Sequence, residues 1–216
     1  MPESGIILIG GGGHALVVAE AVLLAGMTIA GFLDDDREAV LGRRELSGRM
    51  VPYAGPLRDT TKIERVQQWV MGLGDLALRK SVLRGLSEAG FEARGRSPAV
   101  VHPRAIVAPS AHVGAGAFVG PGAMVHTLAT IGHHAIVNSG AVVEHECMVG
   151  LNVHIAPGAL LGGRVRVEDD ALVGLGSRVL PGLVIGARAV IGAGAVVVRD
   201  VEAGGTVVGI PARRLR

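Results

Sequence analysis

From Val101 to Val197 every sixth residue is aliphatic: Val107, Val113, Val119, Val125, Ile131, Val137, Val143 and onward through Ile191, without a break. Side chains two apart on a strand share a face. The small residue two before each aliphatic one (Ala105, Ala111, Ala117 and most successors) therefore points inward with it. Glycine is frequent one residue after, as at Gly114, Gly120 and Gly162, and proline recurs two after, at Pro109, Pro121, Pro157 and Pro181. Glycine then proline marks a corner that needs unusual dihedrals and one amide donor fewer. Strand and corner alternating every six residues predict a parallel β-helix of hexapeptide repeats, about five coils long. An ordinary sandwich of short strands has no reason to keep that count.

The first hundred residues have another rhythm. "GIILIGGGGHALVVAEAVLLAG" reads as an apolar strand, a glycine turn and a helix. "MTIAGFLDDD" is a second strand ending in acids, "QWVMGLGD" a third, followed by a helix through "LALRKSVLRGLSEAG". Strand–helix alternation predicts a small parallel sheet with helices on its faces. The expected organisation is a Rossmann-like βαβ domain over 1–97 and a β-helix with its C-terminal tail over 98–216, the boundary near Pro98. Gly10, Gly12 and Ala15 fit a glycine-rich dinucleotide fingerprint, with Asp34 at a fitting distance. A glycine loop before a helix N-terminus lets backbone amides approach a phosphate. The segment is short for two mononucleotide halves, so a single nucleotide diphosphate suits it better. A tight turn with no ligand is the alternative, and His14 at the helix start argues against it.

Composition narrows the classes. With 2% aromatic residues the core must be aliphatic, and there is little to stack on bases. The basic residues are scattered, which speaks against nucleic-acid binding. One cysteine excludes an internal disulfide and suits a reducing compartment. "MPESGIILIG" has no basic segment ahead of its apolar residues and does not read as a signal peptide. No apolar run approaches the roughly 18–20 residues of a membrane helix. The expected location is the cytoplasm.

Within the repeat, "VVEHECMVG" sets Glu144, His145 and Glu146 side by side inside a long run of Val, Ala and Gly. Val143 is an inward position, so His145 falls where other corners place proline and should project from an edge. Gly163 is eighteen residues later, one coil further on. A projecting base beside a glycine amide can be half of an acyl-transfer site: the base takes the nucleophile's proton and the amide meets the oxyanion. A solvated edge is the bland alternative. Asn138, one after a core position, and His154, which breaks the apolar pattern, add polar groups nearby. Cys147 is in register with Ala141 and Ala159 and should be a buried packing thiol, since a nucleophilic cysteine needs exposure and a lowered pKa.

The hexapeptide pattern resembles the left-handed β-helix of the hexapeptide acyltransferases. The left hand comes from that resemblance; general connection rules favour the opposite. The whole chain, with "GGGGHA", "FLDDD", "EHEC" and "VVGIPARRLR", resembles the bacterial nucleotide-sugar acetyltransferases of the PglD and NeuD type. The resemblance implies a trimer with active sites between β-helices. It implies an acetyl-CoA-dependent N-acetyltransferase acting on the 4-amino group of a UDP- or GDP-linked 4-amino-4,6-dideoxyhexose, in surface polysaccharide or glycan synthesis. No metal is expected. Residue by residue, His145 matches the catalytic base, Glu146 its acid partner and Gly163 the oxyanion amide. Asn138 matches a substrate-facing residue. His154, Leu175 and Ala193 fall where the family contacts acetyl-CoA. Gly12, Gly13, His14, Asp34 and Asp35 fall where it holds the nucleotide sugar. Two departures stand out. Ile210-Pro211-Ala212 replaces the usual Asn-Pro-Ala, and Gly12 stands where a hydroxyl side chain can occur.

Three rivals remain open. One is an O-acetyltransferase of the sialic acid type. Another is a carbonic-anhydrase-like β-helix with zinc on three histidines. It needs a His-x4-His pair that this chain lacks, leaving His126, His133 and His145 to be gathered across subunits. The third is a scaffold without activity.

Overall fold

The computed structural model describes residues 5–59, 61, 63, 67–90 and 97–215. Residues 1–4 and Arg216, the ends of the two expected domains, lie outside it. The chain divides into two compact units, Met1–Pro103 and Arg104–Arg216. Among the described residues no helix is long and apolar enough to cross a membrane.

The first unit is built on β1 (Gly5–Ile9), α1 (Gly13–Leu24), β2 (Ile29–Leu33), the hairpin strands β3 (Glu45–Leu46) and β4 (Arg49–Met50), β5 (Tyr53–Gly55), β6 (Gln67–Met71) and α2 (Leu76–Glu88). The main sheet has the order β5-β2-β1-β6 and is parallel throughout. The three strands and two helices expected from the sequence are present; β5 and the hairpin add to them. Ile7, Ile9, Leu33, Trp69, Met71 and Leu83 form its core. Each fully buried side chain of this size contributes about 1.5–3 kcal/mol against the unfolded chain.

The second unit is a three-faced parallel coil. From Ile106 to Val197 its strands are two residues long and pair with strands eighteen residues away, as Val142 with Leu160 and Val143 with Leu161. We number the faces by chain order within one coil. Face I holds Ile136–Val137 and His154–Ile155, face II Val142–Val143 and Leu160–Leu161, and face III Met148–Val149 and Arg166–Val167. From Val119 to Val197 every sixth residue is at most 3% exposed, so the aliphatic series is the core. Val107 and Val113, in the first coil, are half-buried. The last strand of face I, Thr206–Val208, turns back on itself through an antiparallel pair with Arg213–Arg214.

The corners correct one expectation. The left-handed residue is not the glycine that follows the core aliphatic but the residue three after it. Gly116, Gly122, Gly140 and Gly158 sit there with positive φ, and so do Leu128, His134, Glu146, Asn152, Arg164, Asp170 and Arg188. The glycine directly after the core residue serves close packing between coils. A Cβ on Gly132 would stand 2.5 Å from the carbonyl carbon of Gly150, and one on Gly114 2.9 Å from that of Gly132.

The proline position is explained by the hydrogen-bond ladder. The residue one after the core donates to the coil ahead (Gly162 N to Val179 O, 2.9 Å), and the residue three after donates to the coil behind (Arg164 N to His145 O, 2.9 Å). The amide between them turns outward and has no backbone acceptor among the described residues. Proline loses nothing there.

Candidate functional site

His145, Gly163, Leu175 and Ala193 all occupy this outward-amide position. No hydrogen bond is found for the Gly163, Leu175 or Ala193 N–H among the described residues. The His145 N–H reaches only Glu144 Oε2, at 3.3 Å.

At the edge between faces II and III, the His145 side chain is 50% exposed and its ring lies over Gly163. A Cβ on Gly163 would stand 2.5 Å from His145 Nε2 and 2.6 Å from Cε1. Glycine is required here for space, and the imidazole in turn buries it. Glu146, in the left-handed conformation with φ 59°, turns its carboxylate back to the ring, with Oε2 3.0 Å from His145 Nδ1. A carboxylate accepts only, so it holds the proton on Nδ1 and leaves the Nε2 lone pair beside Gly163. Both side chains are about half exposed, so the pair adds at most about 1 kcal/mol of stability, and its effect is on tautomer and orientation. Glu144 lies below, with Oε1 4.0 Å from His126 Nε2.

Asn138 and His154 meet at the other side of face II, at the corner it shares with face I. Asn138 Nδ2 lies 3.1 Å from His154 Nε2, and its Oδ1 accepts the outward Ser139 N–H at 2.8 Å. Leu175 and Ala193 continue that corner over the next two coils. Within one chain the expected residues of the second unit thus form two groups, His145–Glu146–Gly163 on one edge of face II and Asn138–His154–Leu175–Ala193 on the other. Between them face II presents an outward aliphatic stripe, with Ile106 65% and Leu160 39% exposed and Met124 and Val142 half-buried.

Cys147 is fully buried, and burial pushes its thiol up to about 11, so it is no nucleophile.

In the first unit, β1 is followed by Gly10, with φ 108°, and the chain enters α1 through Gly11, Gly12 and Gly13. Gly12 is the N-cap of α1, which has no side-chain cap and no acid in its first turn. Gly12 and Gly13 are exposed, with nothing within 4 Å of where a Cβ would stand. His14 follows in the first turn. Ala15 is fully buried, and a Cβ on Gly72 would be 2.9 Å from its Cβ, which shows how closely helix and sheet pack. α2 is the contrast: its N-terminus is closed by Asp75, whose Oδ1 accepts from Leu78 N at 2.8 Å.

The acids after β2 brace this loop. Asp34 Oδ2 accepts the Gly11 N–H at 2.7 Å and Oδ1 the Asp36 N–H at 2.8 Å, while Asp35 Oδ1 accepts the Leu57 N–H at 3.1 Å. The sequence spacing placed Asp34 near the glycine loop; that its carboxylate is spent on Gly11 had no sequence signal. Among the described residues no group of three or more His, Cys, Asp or Glu side chains is placed to hold a metal ion.

A coiled hexapeptide unit with a base over an open amide, following a glycine-loop α/β unit, defines the class of hexapeptide-repeat acyltransferases. The profile of the PglD N-terminal domain matches residues 5–86. PerB, the GDP-perosamine N-acetyltransferase of Caulobacter crescentus, solved with CoA and GDP-perosamine, is 35% identical over 98% of this chain and 97% of its own, with a TM-score of 0.85. The acetyltransferase domain of Neisseria gonorrhoeae PglB, solved with acetyl coenzyme A, is 32% identical over 99% of both chains, with a TM-score of 0.83. WeeI from Acinetobacter baumannii is 25% identical with a TM-score of 0.78. No curated protein sequence matches the chain. The chain belongs to the PglD-type nucleotide-sugar acetyltransferases, with their small α/β domain and left-handed β-helix.

Proposed function

We propose that the protein moves acetyl from acetyl-CoA to the 4-amino group of a nucleotide-linked 4-amino-4,6-dideoxyhexose, in the cytoplasm and for glycan or surface polysaccharide synthesis. The observation that carries the reading is the His145 imidazole held over Gly163 with its Nδ1 proton on Glu146. The neutral amine attacks the thioester carbonyl while both substrates are bound. His145 Nε2 receives the amine proton as the C–N bond forms, the Gly163 N–H meets the oxyanion, and the proton passes to the departing thiolate to give free coenzyme A.

The exposed, uncapped loop at Gly12 and Gly13, followed by His14, suits the nucleotide diphosphate, with Asp34 and Asp35 fixing its walls. Asn138 would face the sugar, and His154, Leu175 and Ala193 the acetyl-CoA. GDP-linked sugars are the first to try, since the C. crescentus relative was solved with GDP-perosamine. The two groups on opposite edges of face II support a homotrimer, in which the base edge of one copy is completed by the Asn138 edge of the next.

The test is a free-thiol assay with acetyl-CoA and a panel of GDP- and UDP-linked 4-amino sugars and free sialic acid. Thiol release with a nucleotide amino sugar is expected; release with sialic acid alone, or with nothing, overturns the reading. His14→Ala and Asp34→Ala should raise the KM for the nucleotide sugar with that for acetyl-CoA nearly unchanged. Equal loss of both would make the first unit merely structural.

A further inference from the structure

The chemistry above uses His145 and Glu146 and leaves their neighbour Cys147 without a task. Volume does not call for a thiol there. Alanine fills the same inward position at Ala129, one coil earlier, and valine at Val165, one coil later. Cys147 Sγ lies 3.1 Å from the carbonyl oxygen of Gly162. Because burial holds the group as a thiol, the S–H is the donor. Among the described residues the only other hydrogen bond found to that oxygen comes from Val165 N, at 3.3 Å.

Gly162 O and Gly163 N–H belong to one peptide group. Among the described residues only Ile210–Pro211 is cis, so this peptide is trans and planar, with its C=O and N–H pointing opposite ways. The thiol therefore grips the inner end of the same rigid plate whose outer end is the N–H of Gly163, the residue the His145 ring lies over. Hydrogen bonds sharing one peptide group also polarise each other, by about 10–30% per bond.

We propose that Cys147 is a positioning residue for acetyl transfer: its S–H···O=C bond to Gly162 fixes the plane of the Gly162–Gly163 peptide and strengthens the Gly163 N–H as oxyanion donor. The proposal rests on the acetyl-transfer reading above. A buried hydroxyl is already accommodated at an equivalent inward position, Ser177, where Oγ donates to Gly174 O of its own coil at 2.7 Å. Serine can therefore be buried at residue 147, where it keeps a donor beside the Gly162 carbonyl of the next coil, 3.1 Å from Sγ.

The experiment is steady-state kinetics with thermal unfolding on Cys147→Ala, Cys147→Val and Cys147→Ser, alongside His145→Asn. Alanine and valine remove the donor, and valine keeps most of the volume. Both should lower kcat about 3–10-fold with the KM for each substrate near that of the parent, a fraction of the loss when an oxyanion donor itself is removed. Serine should restore most of the rate whatever its effect on Tm. A thiol used only for packing would follow the opposite order, with valine nearest the parent in Tm and all three turning over normally per folded molecule. Normal kcat in the alanine or valine variant, or serine as slow as both, overturns the proposal. If His145→Asn also keeps its kcat, the acetyl-transfer reading itself falls; if only His145→Asn is slow, the role of Cys147 alone falls.

Discussion

The corner after Val143 and the corner after Val149 follow the same backbone path, with Glu146 and Asn152 as their left-handed residues, yet they treat the outward amide differently. After Val149 the Leu151 N–H is taken by Asp169 Oδ1 at 2.8 Å, and two coils on the Ala187 N–H goes to Glu168 Oε2 at 3.1 Å. Asn152 Nδ2 adds a rung to Asp170 Oδ1 at 2.9 Å. At Leu151 and Ala187 that edge is closed by its own side chains. On the His145 edge the Gly163 amide stays open, with Pro181 standing where Asp169 stands for Leu151, and the imidazole lies over the glycine. The β-helix offers an outward amide at every corner without proline, and one side chain decides whether it becomes structure or chemistry. Openness alone is not enough, for Ala115, Thr127 and His133 also make no hydrogen bond from that amide among the described residues. What distinguishes Gly163 is the imidazole lying over it.

The sharpest way to break this contrast is His145→Asn, which keeps a polar side chain on the edge and removes the base. Its kcat should fall by about 10²–10⁴ with modest changes in KM; near-normal turnover would reduce the edge to a solvated corner. Gly163→Ala comes next. The new Cβ pushes the exposed ring aside rather than the backbone, so kcat should drop about 10–100-fold while Tm barely moves. A Tm loss in proportion to the rate would show that the glycine serves packing instead. Glu146→Ala should cost about tenfold in kcat, less than loss of the base, because the ring survives but its tautomer and aim are no longer held. On the stitched edge, Asp169→Ala should leave kcat untouched. It should lower stability by about 1 kcal/mol, seen as about 2–4 °C in Tm. A rate effect there would show that the two edges are not independent.

Much of this was legible in the sequence because a solenoid writes its fold in one dimension. The sixfold count placed Val143 and Cys147 inside and His145 outside, and the eighteen-residue offset brought Gly163 under the imidazole. The left-handed position was not legible. Glycine usually marks it, but here half of the turns from Gly116 to Gly194 give it to residues such as Glu146 and Asn152. A left-handed L-residue costs roughly 1–2 kcal/mol, and the ladder bonds on either side impose it all the same. In the first unit β5 was missed because Tyr53–Gly55 is short and ends in glycine, with no alternation to read. The bond from Gly11 to Asp34 was hidden for another reason: spacing can bring an acid near a loop but cannot say which donor it meets.

The eighteen-residue register has a last consequence. His145 and Gly163 are neighbours by counting: each coil is bonded only to the coils before and after it, so their alignment depends on how many residues separate them. Inserting six residues between them would keep every core position aliphatic and every corner intact, yet carry Gly163 a third of a turn away onto another edge. Inserting eighteen would keep them on the same edge but place a whole coil between them. Outside that interval, whole coils could be gained or lost with the pair untouched. The number of coils in such a protein is free to drift, whereas the interval between base and amide is held as an integer.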